Sequence, residues 1–160
     1  MEFTHLSTTD VPPLIGALLR LPAVVIQRRL IAELNRAGFE ELRLPHMAVL
    51  QYPGPDGFRP TELAERTGMS KQAMNQLLQS LERWGYLHRR KAKDGNATIV
   101  ESTERGRAVW DQMVASLYQI EHEWREALGD EHFFLLKDML AKVWTSDLLR
   151  EREVTAELED

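Results

Sequence analysis

Residues 60–106, PTELAERTGMSKQAMNQLLQSLERWGYLHRRKAKDGNATIVESTERG, decide how this chain folds. Pro60 suits a first helical turn, and Glu62 two residues on favours the positive end of the helix dipole. Leu63 and Ala64 face inward, and Ala64 is small enough for a close helix crossing. Gly68 supplies a turn that a Cβ would strain, Met69 plugs the junction, and Ser70 caps a second helix. On that second helix Met74, Leu77, Leu78, Leu81 and Trp84 recur at helical spacing and predict a buried stripe.

The opposite face of the same helix carries Lys71, Gln72, Asn75, Gln76 and Gln79, with no acid before Glu82. An ordinary solvated face mixes Glu with Lys. Amides can pair bidentately with adenine in the major groove and do not repel phosphate. Two helices so joined form a helix-turn-helix, whose second helix enters the groove by its N-terminal end. Lys71, Gln72, Asn75, Gln76 and Gln79 are therefore the expected base-reading residues, and Ser70 an expected phosphate contact. The alternative for these side chains is a solvated face.

Downstream, Leu87 to Lys93 and Thr98 to Val100 flank Asp94-Gly95, a strong hairpin signal. The hairpin puts Arg89, Arg90, Lys91 and Lys93 where they can meet phosphates or a minor groove. Phe58-Arg59 could add a short third strand. An inert charged hairpin is the bland reading of the same residues.

Working outward, Asp10 suits an N-cap and Pro12-Pro13 a first turn. Leu14, Leu18, Leu21 and Val25, then less regularly Leu30 and Leu34, extend one long helix to about Ala37. Gly38 closes it, and Pro22 is expected to kink it. A second helix begins near Leu44-Pro45, runs through Met47, Val49 and Leu50, and stops at the PGPDG loop of residues 53–57. Thr103 can cap a helix with Val109, Met113, Leu117, Ile120 and Trp124 at apolar spacing. Gly129 ends that helix, and Asp130 can cap another with Phe133, Leu136, Leu140 and Val143. From Thr145 the tail carries six acids and two arginines, and fraying is expected there.

The fold class is thus mainly α. A winged helix-turn-helix module with a small β-hairpin wing (43–106) sits between long terminal helices (10–38 and 107–150), in one domain of 160 residues. The terminal helices would overfill a monomer core, so they are expected to pack against a second copy. A monomeric helical bundle is the alternative.

The net charge of −5 hides an asymmetry. Residues 59–106 carry nine Lys/Arg against six acids, and the remainder eleven against nineteen. A positive module in an acidic body gives a polyanion one preferred approach. With no cysteine, thiol chemistry, disulfides and Cys-ligated zinc are excluded. No window approaches the roughly 18 apolar residues of a membrane span, and the first ten residues lack a basic export region, so a cytoplasmic protein is expected. His122-Glu123 and Glu131-His132 match no ligand motif, and no metal, cofactor or catalytic residue is predicted.

Over most of its length the chain resembles the MarR family of winged helix-turn-helix transcription regulators. The resemblance is carried by Glu62-Leu63-Ala64, by Gly68-Met69-Ser70 and by Leu81-Glu82-Arg83-Trp84-Gly85-Tyr86-Leu87 with Arg89 or Arg90. Asp94 of the wing and Ser102-Thr103-Glu104-Arg105-Gly106 complete it. It implies a homodimer built on the terminal helices that reads a pseudo-palindromic operator in double-stranded DNA, usually as a repressor. It also implies a small aromatic or phenolic effector bound between the dimerisation helices and the DNA-binding module. His46 lies where that pocket would be, and Trp110 and Tyr118 could line it; a capping or surface histidine and core aromatics are the competing readings.

Two departures stand out. The family usually has an arginine two positions after the wing aspartate, for the minor groove, and this chain has Asn96. The usual leucine before the Thr-x-x-Gly step is Ser102. The wing must then lean on Arg89, Arg90, Lys91 and Lys93, or contribute less. A winged-helix protein-interaction module with weak or lost DNA binding is therefore a second reading.

Overall fold

The structure, a computed structural model, describes residues 13–51, 57–92, 95 and 97–146. Its elements run α1 (Ile15–Arg36), α2 (Leu44–Leu50), α3 (Pro60–Thr67), α4 (Lys71–Arg83), β1 (Leu87–Lys91), β2 (Thr98–Ser102), α5 (Glu104–Leu128) and α6 (Asp130–Thr145). The chain divides into two compact units, Met1–Leu117 and Tyr118–Asp160, and residues of α5 belong to both.

The core of the first unit is one apolar cluster drawn from α1, α2, α3, α4, the β-strands and the start of α5. Leu34, Leu42, Leu50, Leu63, Met74, Leu78, Leu81, Tyr86 and Val109 are fully buried there. Each such side chain contributes roughly 1.5–3 kcal/mol. The α4 stripe is found as expected, with Met74, Leu78 and Leu81 buried and Leu77 and Trp84 half-buried against the same cluster.

Helix α1 joins this core through its C-terminal half, by the buried Leu30 and Leu34 with Ile26 and Ile31 packed beside them. The predicted apolar stripe of its N-terminal half, Leu14, Leu18, Leu21 and Val25, is exposed, with Leu14 74% accessible. The helix runs continuously through Pro22 and starts at Leu14 as N-cap, with no side-chain cap. The Asp10 cap and Pro12 lie outside the described residues. Leu117, expected on the apolar stripe of α5, is also exposed, whereas Val109 and Met113 are buried.

Local chemistry sets the boundaries around α4. The Arg59 amide donates to Glu62 Oε2 at 3.2 Å, opening α3. Gly68, at φ 64°, closes it, and the Met69 amide returns to the Ala64 carbonyl at 3.0 Å. Ser70 Oγ then accepts the Ala73 amide at 3.2 Å and starts α4. Gly85, at φ 76°, ends α4, with the Tyr86 amide bonded back to the Leu81 carbonyl at 2.8 Å.

Strands β1 and β2 pair antiparallel from Leu87↔Ser102 to Lys91↔Thr98. The expected third strand is a single bridge, Phe58↔Val100, with both amide–carbonyl bonds formed at 2.8 and 2.9 Å. At the hairpin tip Gly95 has φ 84°. Asp94, Lys93 and Asn96 lie outside the described residues, as do residues 53–56 of the PGPDG loop.

In the second unit, α5 continues to Leu128 and α6 follows after Gly129. The sequence suggested Asp130 as the cap of α6. Instead Gly129, at φ 78°, occupies that position and Asp130 is the first helical residue. The Asp130 carboxylate is committed elsewhere, accepting Nε and an Nη of Arg125 at 2.6 and 2.7 Å. Phe133 is buried and Leu136 half-buried, but Leu140 and Val143 are exposed, as are Phe134, Leu135, Met139 and Trp144. Beyond Ser146 the acidic tail lies outside the described residues. Among the described residues no helix is long and apolar enough to cross a membrane.

Candidate nucleic-acid interface

The α4 face is built as its composition predicts. Lys71, Gln72, Asn75, Gln76 and Gln79 are all exposed, as is Ser70 at the cap. Because Met74, Leu78 and Leu81 fix the buried side, these polar residues are held on one outward strip of a rigid helix. Gln72 and Asn75, and Gln72 and Gln76, are three and four residues apart and so neighbours on that strip. The first acid after the cap is Glu82, in the last turn.

The wing differs from what its composition suggests. Arg89 Nε donates to Glu82 Oε2 at 2.9 Å, tying β1 to the end of α4. Arg90 Nε donates to Glu101 Oε1 at 2.6 Å, across the hairpin. His88 Nε2 lies 3.1 Å from the other oxygen of the same carboxylate. The Arg90 hydrogen bond, with help from the charges of Arg90 and His88, holds the Glu101 carboxyl below the usual carboxylate range. Lys91 is exposed and forms no ion pair among the described residues. Spacing alone makes the four basic wing residues equivalent; the fold separates them, because Arg89 and Arg90 face its own carboxylates.

A second set of contacts braces the base of the wing. Thr103 Oγ1 donates to the Gly85 carbonyl at 2.6 Å and accepts the Gly106 amide at 3.1 Å, so Thr103 caps α5 as expected. Arg105 donates to the Trp84 carbonyl at 2.8 Å and to Glu41 Oε1 at 2.6 Å. Its guanidinium stacks 4.5 Å from the Tyr86 ring centroid. Burial, with the adjacent Glu41 carboxylate, pushes the Tyr86 phenol up to about 12. Sequence reasoning missed this Glu41–Tyr86–Arg105 group, whose members lie far apart along the chain.

His46 is half-buried, and its Nδ1 accepts the Arg43 amide at 3.0 Å at the start of α2. Its ring meets Trp84 edge-on, centroids 5.1 Å apart. Burial, then the Arg43 charge, lowers its pKa. Trp110 is half-buried and Tyr118 exposed. Within the second unit a shallow cleft of about 250 Å³ is lined by Tyr118, His122, Arg125, Phe133, Phe134 and Lys137, among others, and neither His46 nor Trp110 lines it. Among the described residues no group of three or more His, Asp or Glu side chains could hold a metal ion.

Comparison with known proteins bears on this arrangement. The MarR family model matches residues 47–95, from α2 through α3 and α4 into the hairpin tip. A MarR family protein of Mycobacterium tuberculosis, solved with salicylic acid, is 27% identical, with 84% of this chain and 98% of that one aligned at a TM-score of 0.63. Both findings point to the MarR family of winged-helix transcription regulators, which this chain resembles most clearly from α2 to the hairpin tip. Two further proteins share the fold at lower identity. The oxidised form of MarR from E. coli is 22% identical over 85% of this chain and 97% of its own, at a TM-score of 0.69. FabT of Streptococcus pneumoniae, solved in complex with DNA, is 16% identical over 79% of this chain and 92% of its own, at 0.64. No curated protein matches the chain.

Proposed function

We propose that this chain acts as a homodimeric, ligand-responsive repressor that reads a pseudo-palindromic operator. Helix α4 enters the major groove, where Lys71, Gln72, Asn75, Gln76 and Gln79 meet base edges and Ser70 meets a phosphate. Arg89, Arg90, Lys91, Lys93 and Asn96 of the wing lie on the backbone or in the minor groove. The single observation that carries this reading is the outward strip of amides on α4, free of acids until Glu82.

Dimerisation is supported by apolar surface on both terminal helices. On α1, Leu14, Ile15, Leu18, Leu21 and Val25 are exposed; on α6, Phe134, Leu135, Met139, Val143 and Trp144 are. Several large apolar side chains exposed on one helix, as on each of these, mark an interaction site. The two copies of α4 would then sit about one DNA turn, roughly 34 Å, apart. The effector part of the reading draws on the M. tuberculosis relative solved with salicylic acid. A small aromatic or phenolic compound is proposed, with His46 and Trp110 as candidate contacts, although His46 Nδ1 already caps α2.

The test is selection of bound duplexes from random DNA, followed by titration of the winning operator across a salt series. The reading expects a two-fold related site and an affinity that falls log-linearly with salt. A flat plot, or no enrichment, would sink it. The pairing of Arg89 and Arg90 with carboxylates favours one second reading, a protein-interaction module with weak DNA binding. A protein partner occupying the α4 amide strip, with no operator enriched, would select it.

A further inference from the structure

Both described wing arginines are already held by carboxylates. Glu82 belongs to α4 and Glu101 to β2, so the two acids reach the hairpin from different elements. Arg89 meets Glu82 at 2.9 Å and Arg90 meets Glu101 at 2.6 Å, while His88 shares Glu101 at 3.1 Å. All four side chains of the two arginine pairs are about a quarter to a third accessible. They are neither sealed in the core nor free in water. Pairs at that depth are weak enough to exchange, yet they cancel the field of the arginine when no better anion is near.

A DNA phosphate is such an anion. Like a carboxylate, it offers the guanidinium anionic oxygens as charge-assisted acceptors, and so can compete for the same donors. Lys91 makes no ion pair among the described residues and would touch phosphate without any exchange. Among the described Lys and Arg side chains of the wing, one charge would then be available and two compensated.

We propose that Glu82 and Glu101 are displaceable counter-anions that restrain Arg89 and Arg90, so that wing docking requires exchange of a protein carboxylate for a DNA phosphate. The consequence is a division of labour within the DNA-binding reading on which this inference rests. Non-specific attraction through the wing is held down, and the amides of α4 decide where the protein stays. Glu82 has a second role in this scheme: by joining β1 to the last turn of α4, it releases the wing only where α4 is already seated.

The experiment is a salt titration with a fluorescently labelled duplex of random sequence, because phosphate contacts do not depend on operator identity. Wild-type protein is compared with Glu82→Gln, Glu101→Gln and, for an equal change in charge elsewhere in the module, Glu65→Gln. Both wing variants should bind several-fold tighter at low salt, and the log–log slope should steepen by up to about 0.9 for each arginine released. Glu65→Gln should leave the slope near wild type. In an Arg89→Ala background, Glu82→Gln should lose its effect.

Weaker or unchanged binding by both Gln variants overturns the inference while wild-type salt-dependent binding keeps the DNA reading. An equal gain from Glu65→Gln, or a gain that persists without Arg89, also overturns it, because the effect would then be general charge. If wild-type protein shows no salt-dependent binding at all, the DNA reading fails and takes this inference with it.

Discussion

The Thr103 hydroxyl donates to the Gly85 carbonyl at 2.6 Å, joining the residue that caps α5 to the residue that ends α4. The contact is one of several between the same two stretches. The Thr103 amide bonds the Tyr86 carbonyl at 3.0 Å, and Arg105 bonds the Trp84 carbonyl at 2.8 Å. Segment 103–106 is thus seated on the exit of α4. A displacement at the start of α5 would therefore be felt at the base of the wing and at the end of α4.

Two glycines in this region are required for different reasons, and substitution can separate them. Gly68 needs its left-handed backbone at φ 64° and has open space around it. A Cβ on Gly106 would lie 2.2 Å from the Tyr86 carbonyl oxygen, against backbone that cannot swing away. Gly68→Ala is expected to cost about 1–2 kcal/mol, and Gly68→Asn less, since Asn tolerates that region. Gly106→Ala should cost about 1–3 kcal/mol or more, and Asn should give no relief. Urea denaturation of the four variants measures this; equal behaviour of Asn at both sites would show the assignment to be mistaken.

Much of the fold is legible from local chemistry. The caps formed by Ser70 and Thr103 and the turn at Gly68 act through neighbours one to four residues away, and the α4 stripe follows from helical period alone. What stayed hidden was decided at longer range. The pairing of Arg89 with Glu82 and of Arg105 with Glu41 depends on how elements meet, which no spacing rule encodes. Asp130 has the side chain of a helix cap, but the fold uses it as the partner of Arg125. The apolar stripe of α1 was readable as a stripe, but sequence could not show that its first half would stay uncovered in a single chain.

Tyr86 should make the protein sensitive to alkali. Its folded pKa, about 12, lies above the usual tyrosine value of 10, so the fold favours the neutral phenol. A raised pKa means the contribution is fully present below pH 10 and is lost as pH rises towards 12. Ultraviolet titration should find one of the three tyrosines ionising late, and Tyr86→Phe should remove that step and flatten the loss of melting temperature between these pH values. Three tyrosines titrating together near pH 10 would contradict it.

Helix and wing should fail differently when altered. Loss of an amide that pairs bidentately with a base removes discrimination worth about 1–3 kcal/mol, so Asn75→Ala should cost that on operator and little on random DNA. Lys91→Ala removes a phosphate contact, so it should weaken both about equally and lower the salt slope by about 0.9. Paired titrations on operator and random duplex check this. A uniform loss for Asn75→Ala would place it on the backbone rather than on a base.

His46 should give the opposite pH dependence to Tyr86. Its Nδ1 accepts the Arg43 amide, which requires that nitrogen to be unprotonated, and burial together with the Arg43 charge lowers its pKa below 6.5. For a lowered pKa the contribution is complete above the unfolded value and disappears as pH falls through the folded one. Melting temperature should therefore drop on acidification below about pH 6.5, with α2 opening at its first turn. His46→Asn offers an acceptor oxygen at a similar reach but does not titrate there. It should keep most of the stability at pH 7.5 and show a smaller fall at pH 5 than wild type. His46→Ala should lose stability at pH 7.5 as well, because the cap is gone and the edge contact with Trp84 goes with it. Parallel acid profiles for wild type and His46→Asn would mean that another group sets the acid limb.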